Sequence, residues 1–254
     1  MLAALLTLSA LIGATDEPPM PPAWTIISYN IHHAEGNDGV LDLDRIAAIV
    51  RSVSPDFVCL QEVDKNLPRT QLRDFPAEFA SKLGMHVVFE ANYRFDGGEY
   101  GNATLSRMPI VTSRNLALPG PEGAEPRGCL GVTVDLGGEQ LTLWNTHWGL
   151  QAGERKAQGA FLLQQIPPSP AIIVGDFNED ASGSGLKQLQ TRFHSAMSLL
   201  AEAALQFSTG NRKRLIDHIH GSPGIVFHEV RVLDTPETAL ASDHFPVVAA
   251  FSLK

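Results

Sequence analysis

The sequence predicts an α/β (α+β) layered domain, with mixed β-sheets and helices on their outer faces. Three observations predict it. Apolar strand-like runs outnumber helical ones. Some of those runs meet through tight turns as hairpins, while others are joined in strand–helix–strand order, and that mixture suits mixed sheets. The strand–helix–strand units do not repeat regularly along the chain, which excludes a Rossmann or TIM-barrel arrangement.

Residues 24–29, Trp-Thr-Ile-Ile-Ser-Tyr, read as a strand running into Asn30-Ile31-His32-His33. Over 41–53 the apolar positions Leu43, Ile46, Ala47, Ile49 and Val50 follow a helical period, with Asp42 or Asp44 suited to the first turn. Pro55-Asp56 breaks that helix, and 57–60 is a buried strand ending at Gln61-Glu62. A second helix over 75–83 is stopped by Gly84. Strands follow at 85–90, 103–106 and 110–118, then at 128–136 and 141–146 about the turn Gly137-Gly138. A helix over 154–166 is closed by Pro167-Pro168. The wholly apolar strand 171–174 opens into Gly175-Asp176-Phe177-Asn178, and the last third gives strands at 215–220, 225–232 and 245–251.

The chain has 254 residues, 44% hydrophobic and 19% charged, an ordinary globular composition. No Gly/Ser/Pro-rich linker or internal repeat divides it, so a single domain over 24–254 is expected. Residues 1–23 read as a signal peptide or a disordered N-terminal segment: Met1 to Ala14 is apolar, ends in small residues and precedes Pro18-Pro19. No Lys or Arg precedes Leu2, and the run is too short to span a bilayer. Secretion or periplasmic export is the expectation, a cytoplasmic protein the alternative. Cys59 and Cys129 sit in apolar runs as buried, unreactive thiols. The net charge of −9 weighs against a protein that grips duplex DNA by its backbone, and only Arg212-Lys213-Arg214 forms a basic cluster. A monomer is assumed.

Polar residues collect at strand ends. They are Asn30, Glu62, His147, Asp176 with Asn178, Asp217 between Ile216 and His218, and the side-by-side Asp243-His244. A carboxylate at a strand end is often only a turn residue or a helix cap. Asp217 differs: an acid among apolar strand residues is costly to bury unpaired, and a histidine would resolve the cost.

The ordered set Ser28-Tyr29-Asn30-Ile31, Leu60-Gln61-Glu62-Val63, 101–107 (Gly-Asn-Ala-Thr-Leu-Ser-Arg), Asn145-Thr146-His147, Gly175-Asp176-Phe177-Asn178, Ile216-Asp217-His218-Ile219 and Ser242-Asp243-His244-Phe245-Pro246 resembles the endonuclease/exonuclease/phosphatase (deoxyribonuclease I-like) superfamily. The likeness runs from about Trp24 to the C-terminus. It implies a four-layer sandwich of two packed mixed sheets flanked by helices. It also implies a divalent-metal-dependent phosphoesterase in which Asn30, Glu62 and Asp243 hold Mg²⁺, with Mn²⁺ as a possible substitute. On the same resemblance Asp176 orients or deprotonates the attacking water, Asn178 donates to a phosphate oxygen, Asp217 pairs with His244, and His244 and His147 bond the oxygens on which charge builds. Whether Asp176 or His244 is the base stays open.

Asn102 is either a site-lining residue that binds substrate or a turn amide. Arg127 either reaches a phosphate or pairs with Glu125. His32 or His33 either lines the pocket or is an exposed loop residue. His218 is expected to face away from the site, Trp148 to pack substrate or the core, and Arg155 to be structural. The loops 94–100 and 118–127 carry no readable specificity code. The acidic balance and the apparent signal favour a small or lipid-derived phosphoester. The alternatives are a metal-dependent endo- or exonuclease and a non-catalytic binding module on the same fold.

Overall fold

The computed structural model describes residues 23–168, 170–200 and 215–254. The expected signal segment and the Arg212-Lys213-Arg214 cluster lie outside the described residues. The elements are β1 (Trp24–Asn30), α1 (Leu43–Ser52), β2 (Phe57–Lys65), α2 (Phe75–Leu83), β3 (His86–Phe95), β4 (Gly98–Ser106), β5 (Ile110–Ala117), β6 (Gly128–Asp135), β7 (Gln140–His147), α3 (Ala152–Gln165), β8 (Ala171–Asp176), α4 (Ser184–Leu189), β9 (His194–Ser195), β10 (Asp217–Gly221), β11 (Ile225–Val232), α5 (Pro236–Ala241) and β12 (Val247–Leu253).

They form two six-stranded mixed sheets, ordered β11-β12-β1-β2-β4-β3 and β5-β6-β7-β8-β10-β9. Each holds one parallel pair, β1 with β2 and β7 with β8, among antiparallel neighbours. The period-2 alternation of side chains sorts three cores. Ile26, Phe57, Cys59, Leu141, Leu143, Ile172 and Val174 fill the space between the sheets. Ile27, Tyr29, Val58 and Leu60 point the other way, onto α1 and α2. Trp144, Ala171 and Ile173 point onto the α3 and α4 side. The result is the four-layer sandwich, helices over sheet over sheet over helices.

Local chemistry sets the helix ends. Asp42 caps α1 by accepting from the Arg45 amide, and Asp74 caps α2 through Ala77. Gly84, at φ 64°, ends α2 in the left-handed conformation, as expected. Other boundaries differ from the sequence reading. The last strand begins at Val247 rather than Phe245, because Pro246 has no N–H for a ladder. The strand β10 begins at Asp217 rather than Leu215. The short helices α4 and α5 show no apolar period long enough to read. The segment 94–100 is not a loop but the tip of the β3–β4 hairpin, turned at Asp96-Gly97. No helix among the described residues is long and apolar enough to cross a membrane.

Candidate active site

Strand parity explains why the chemistry gathers at one end of the sandwich. Asn30 continues the Ile26-Ser28 face of β1, His147 the Leu141-Leu143-Asn145 face of β7, and Asp176 the Ile172-Val174 face of β8. Asp217 lies directly opposite Asp176 on the antiparallel strand β10. All four therefore close the mouth of the gap between the sheets. Glu62 has the wrong parity for this. A bulge between Leu60 and Val63, with Glu62 itself at φ 59°, re-aims its carboxylate into the mouth. Gly175, at φ 146°, is required beside Asp176, since a Cβ there would stand 1.9 Å from the Thr146 carbonyl.

The side chains meet in a cleft of about 340 Å³ lined by Glu62, Asp176, Asn178, Asp243, His244, His147 and Arg127, with His32 and His33 at its edge. The Asn30 amide donates to Glu62 Oε1 (2.9 Å) and Asp176 Oδ2 (3.1 Å), and its Oδ1 accepts from the His32 amide (3.1 Å). The Asn178 amide N–H holds Asp176 Oδ1 at 2.8 Å. His244 donates from Nδ1 to Asp217 Oδ2 at 2.8 Å, while its Nε2 stands 3.6 Å from Asp176 Oδ2. His147 Nε2 lies 3.5 Å from that same oxygen. A roomier hollow of about 530 Å³ among Arg192, Phe193, His194 and Phe227 holds none of these acids.

The two imidazoles are set oppositely. Burial, then the nearby Arg127 and His244 charges, push His147 well below the usual histidine range. Arg127 Nη1 stands 2.9 Å from its Nδ1 and 3.2 Å from its Nε2, so the guanidinium faces both ring nitrogens. Burial also opposes charge on His244, but Asp217, Asp176 and Asp243 together hold it well above that range. Both rings place Nε2 beside Asp176 Oδ2.

The acids carry more negative charge than the cleft returns. Burial pushes Glu62 above the usual carboxylate range, and Asp176 and Asp243 push it further against the Asn30 amide. Burial likewise raises Asp176. The tightest group of ligand atoms among the described residues is Asp176, Asp217 and His244, all within 4.8 Å. There the His244 imidazolium already supplies positive charge to both acids. Neither Glu62 nor Asp243 has a cationic side chain at ion-pair distance among the described residues, and an all-oxygen set fits a hard divalent cation. The residues present therefore fit a Mg²⁺-type ion on the Glu62–Asp243 side.

Other sequence-singled residues find varied places. Asn102 is not brought to the cleft lining; it is buried, donating to the Gly128 and Asn145 carbonyls. Arg127 lines the cleft and pairs with Glu125 at 2.8 Å. His218 turns to the helix side against Phe177, as its parity requires. Trp148 is fully buried against Phe177. Arg155 bridges Glu179 to the Leu150 carbonyl, a structural role. Cys59 and Cys129 are buried and free, each thiol pushed by burial up to about 12. Arg69, Tyr93, Phe95, Tyr100 and Glu125 also line the cleft, and sequence reading gave none of them a site role. The alternation Tyr93-Arg94-Phe95 before Asp96-Gly97 was the available hairpin signal.

A family model described as the Endonuclease/Exonuclease/phosphatase family matches residues 27–244. The uncharacterized protein YbhP of Escherichia coli (strain K12) is 31% identical over 197 residues, covering 68% of this chain and 76% of that protein. Among solved structures, an endonuclease/exonuclease/phosphatase from Beutenbergia cavernae superposes with a TM-score of 0.78 at 24% identity, covering 91% of this chain and 72% of its own. The mannosyl-6-phosphatase Bt3783 of Bacteroides thetaiotaomicron gives 0.73 at 20% identity, covering 91% and 100%.

Proposed function

This chain belongs to the endonuclease/exonuclease/phosphatase family, and from that premise we propose that it is a Mg²⁺-dependent hydrolase of small or lipid-derived phosphoesters. The observation that carries the proposal is the convergence of two imidazole Nε2 atoms on one buried carboxylate, beside acids fit for a divalent cation.

Asp176, oriented by Asn30 and the Asn178 amide, faces the position of an attacking water and takes its proton. His244 is held protonated, which makes Asp176 rather than His244 the base in this scheme. The Nε2–H groups of His244 and His147 donate to the phosphoryl oxygens on which charge develops. Asn178 gives one amide N–H to the Trp148 carbonyl at 2.9 Å and keeps the second for substrate. Asp217 fixes the His244 ring and favours its protonated form. Glu62 and Asp243, with Asn30 Oδ1, would hold the cation, which when bound neutralises phosphoryl oxygens and assists the leaving group. Export of the mature enzyme through residues 1–23 is part of the same proposal; N-terminal sequencing of protein recovered outside the cytoplasm tests it.

Hydrolysis of bis(p-nitrophenyl) phosphate tests the chemistry. Turnover should stop with EDTA, return with Mg²⁺ or Mn²⁺, and be lost in Glu62→Gln. No turnover of any phosphoester by metal-loaded protein would sink the proposal. Plasmid nicking that exceeds small-ester turnover and disappears in Asp176→Asn would make the enzyme a nuclease instead.

A further inference from the structure

One feature of the cleft takes no part in phosphoryl chemistry. Arg69 donates from Nε and Nη2 to the two oxygens of Asp64, both at 2.7 Å, and the Asp64 side chain is wholly buried. That fork-on-fork pair fixes the guanidinium plane. Its carbon stands 5.4 Å from the centroids of both Phe95 and Tyr100. Phe95 is stacked in turn on Tyr93, with centroids 4.9 Å apart and planes inclined by 28°. A column Tyr100–Arg69–Phe95–Tyr93 thus stands in the cleft wall, and all four members line the cleft. Tyr93, at the open end, is 37% exposed, the one exposed Phe, Tyr or Trp among the described residues. Arg69 Nη1 makes no hydrogen bond among the described residues.

We propose that this column is the specificity subsite of the enzyme. It takes a planar aromatic ring carried by the phosphoester, stacked at the Tyr93 end, with an acceptor atom of the same group bound by Arg69 Nη1. The inference rests on the phosphoesterase reading of the cleft and adds the class of group beside the phosphate. A held aromatic face with a fixed N–H donor suits a flat ring bearing acceptors better than an acyl chain. The flanking His33 and Glu125 are polar and would not shelter a chain. At about 340 Å³ the cleft is at the small end for ligand sites and matches a phosphate with one ring system.

The test uses metal-loaded protein and three competitors of bis(p-nitrophenyl) phosphate hydrolysis: adenosine 5′-monophosphate, glucose 6-phosphate and glycerol 3-phosphate. The planar-ring ester should inhibit about tenfold more tightly than glycerol 3-phosphate. Tyr93→Ala should abolish that preference while the inhibition constant of glycerol 3-phosphate stays within about twofold, and Tyr93→Trp should keep or strengthen it. Equal inhibition by all three esters in the wild type, preference for glucose 6-phosphate or glycerol 3-phosphate, or an equal loss for every ester in Tyr93→Ala would overturn the subsite. If no phosphoester is hydrolysed, the phosphoesterase reading fails. Equilibrium titration of the same esters onto wild type and both variants then decides the subsite separately.

Discussion

His147 and His244 stand 3.5 and 3.6 Å from one carboxylate oxygen, yet their surroundings leave one neutral and the other charged. Burial first, and then an arginine against it, keep His147 neutral, while three carboxylates around His244 outweigh its burial and keep it protonated. His244→Ala should lower turnover by roughly 10²–10⁴-fold with folding intact, the usual contribution of a positioned proton-handling group. A change under about tenfold would remove His244 from the mechanism. Asp217→Asn should reproduce part of that loss, since the neutral amide no longer holds His244 oriented and protonated. Full activity in Asp217→Asn would dissolve the dyad. Both residues were legible in the sequence, because an acid within an apolar strand requires a partner. Arg127's grip on His147 was not legible, since twenty residues separate the two and only the β6–β7 pairing brings them together.

At the scale of the element, β10 carries two faces with different tasks. Asp217 faces the mouth of the gap, while His218 and His220 face the helix side among Phe177 and its neighbours. His220 is wholly buried, neither ring nitrogen has a partner among the described residues, and burial, with His218 and His194 nearby, pushes its pKa down to about 3. The unfolded chain takes up this proton below about pH 6.5 and the folded chain does not. This contribution to stability is therefore complete above pH 6.5 and falls away as the pH drops toward 3. Wild type should lose about 2 kcal/mol more than His220→Phe between pH 7 and pH 5, read as urea midpoints. An equal loss in both proteins would show that His220 is not buried neutral. The same scale limits sequence reading. Alternation put His218 on the face opposite Asp217, but the bulge that turns Glu62 into the cleft is a break in alternation that only the pairing with β4 reveals.

Across the whole molecule, the site exists only where two sheets meet. Asn30 and Glu62 come from one, His147, Asp176 and Asp217 from the other. Asn145 of β7 ties the sheets below the cleft. It donates to the Leu60 and Ala103 carbonyls at 3.0 and 2.9 Å and accepts from Gln61 Nε2 at 2.7 Å, all fully buried. Asn145→Ala leaves those groups without partners in the dry interior and should cost about 2–4 kcal/mol, seen as a lower urea midpoint with an unchanged slope. A loss below about 1 kcal/mol would mean that apolar packing alone holds the sheets in register.

The sequence by itself determined the layered class and the ordered acids, amides and imidazoles of a phosphoesterase. Each of these is written in local periodicity and in short motifs. Tertiary structure alone decided that Asn102 is buried on backbone carbonyls away from the cleft lining, that Arg127 sits on His147, and that Tyr100, Arg69, Phe95 and Tyr93 stand as one column. Those outcomes depend on which strands pair, at what register, and where a bulge reverses a side chain. Pairing is a non-local free-energy choice, and no single stretch of chain encodes it.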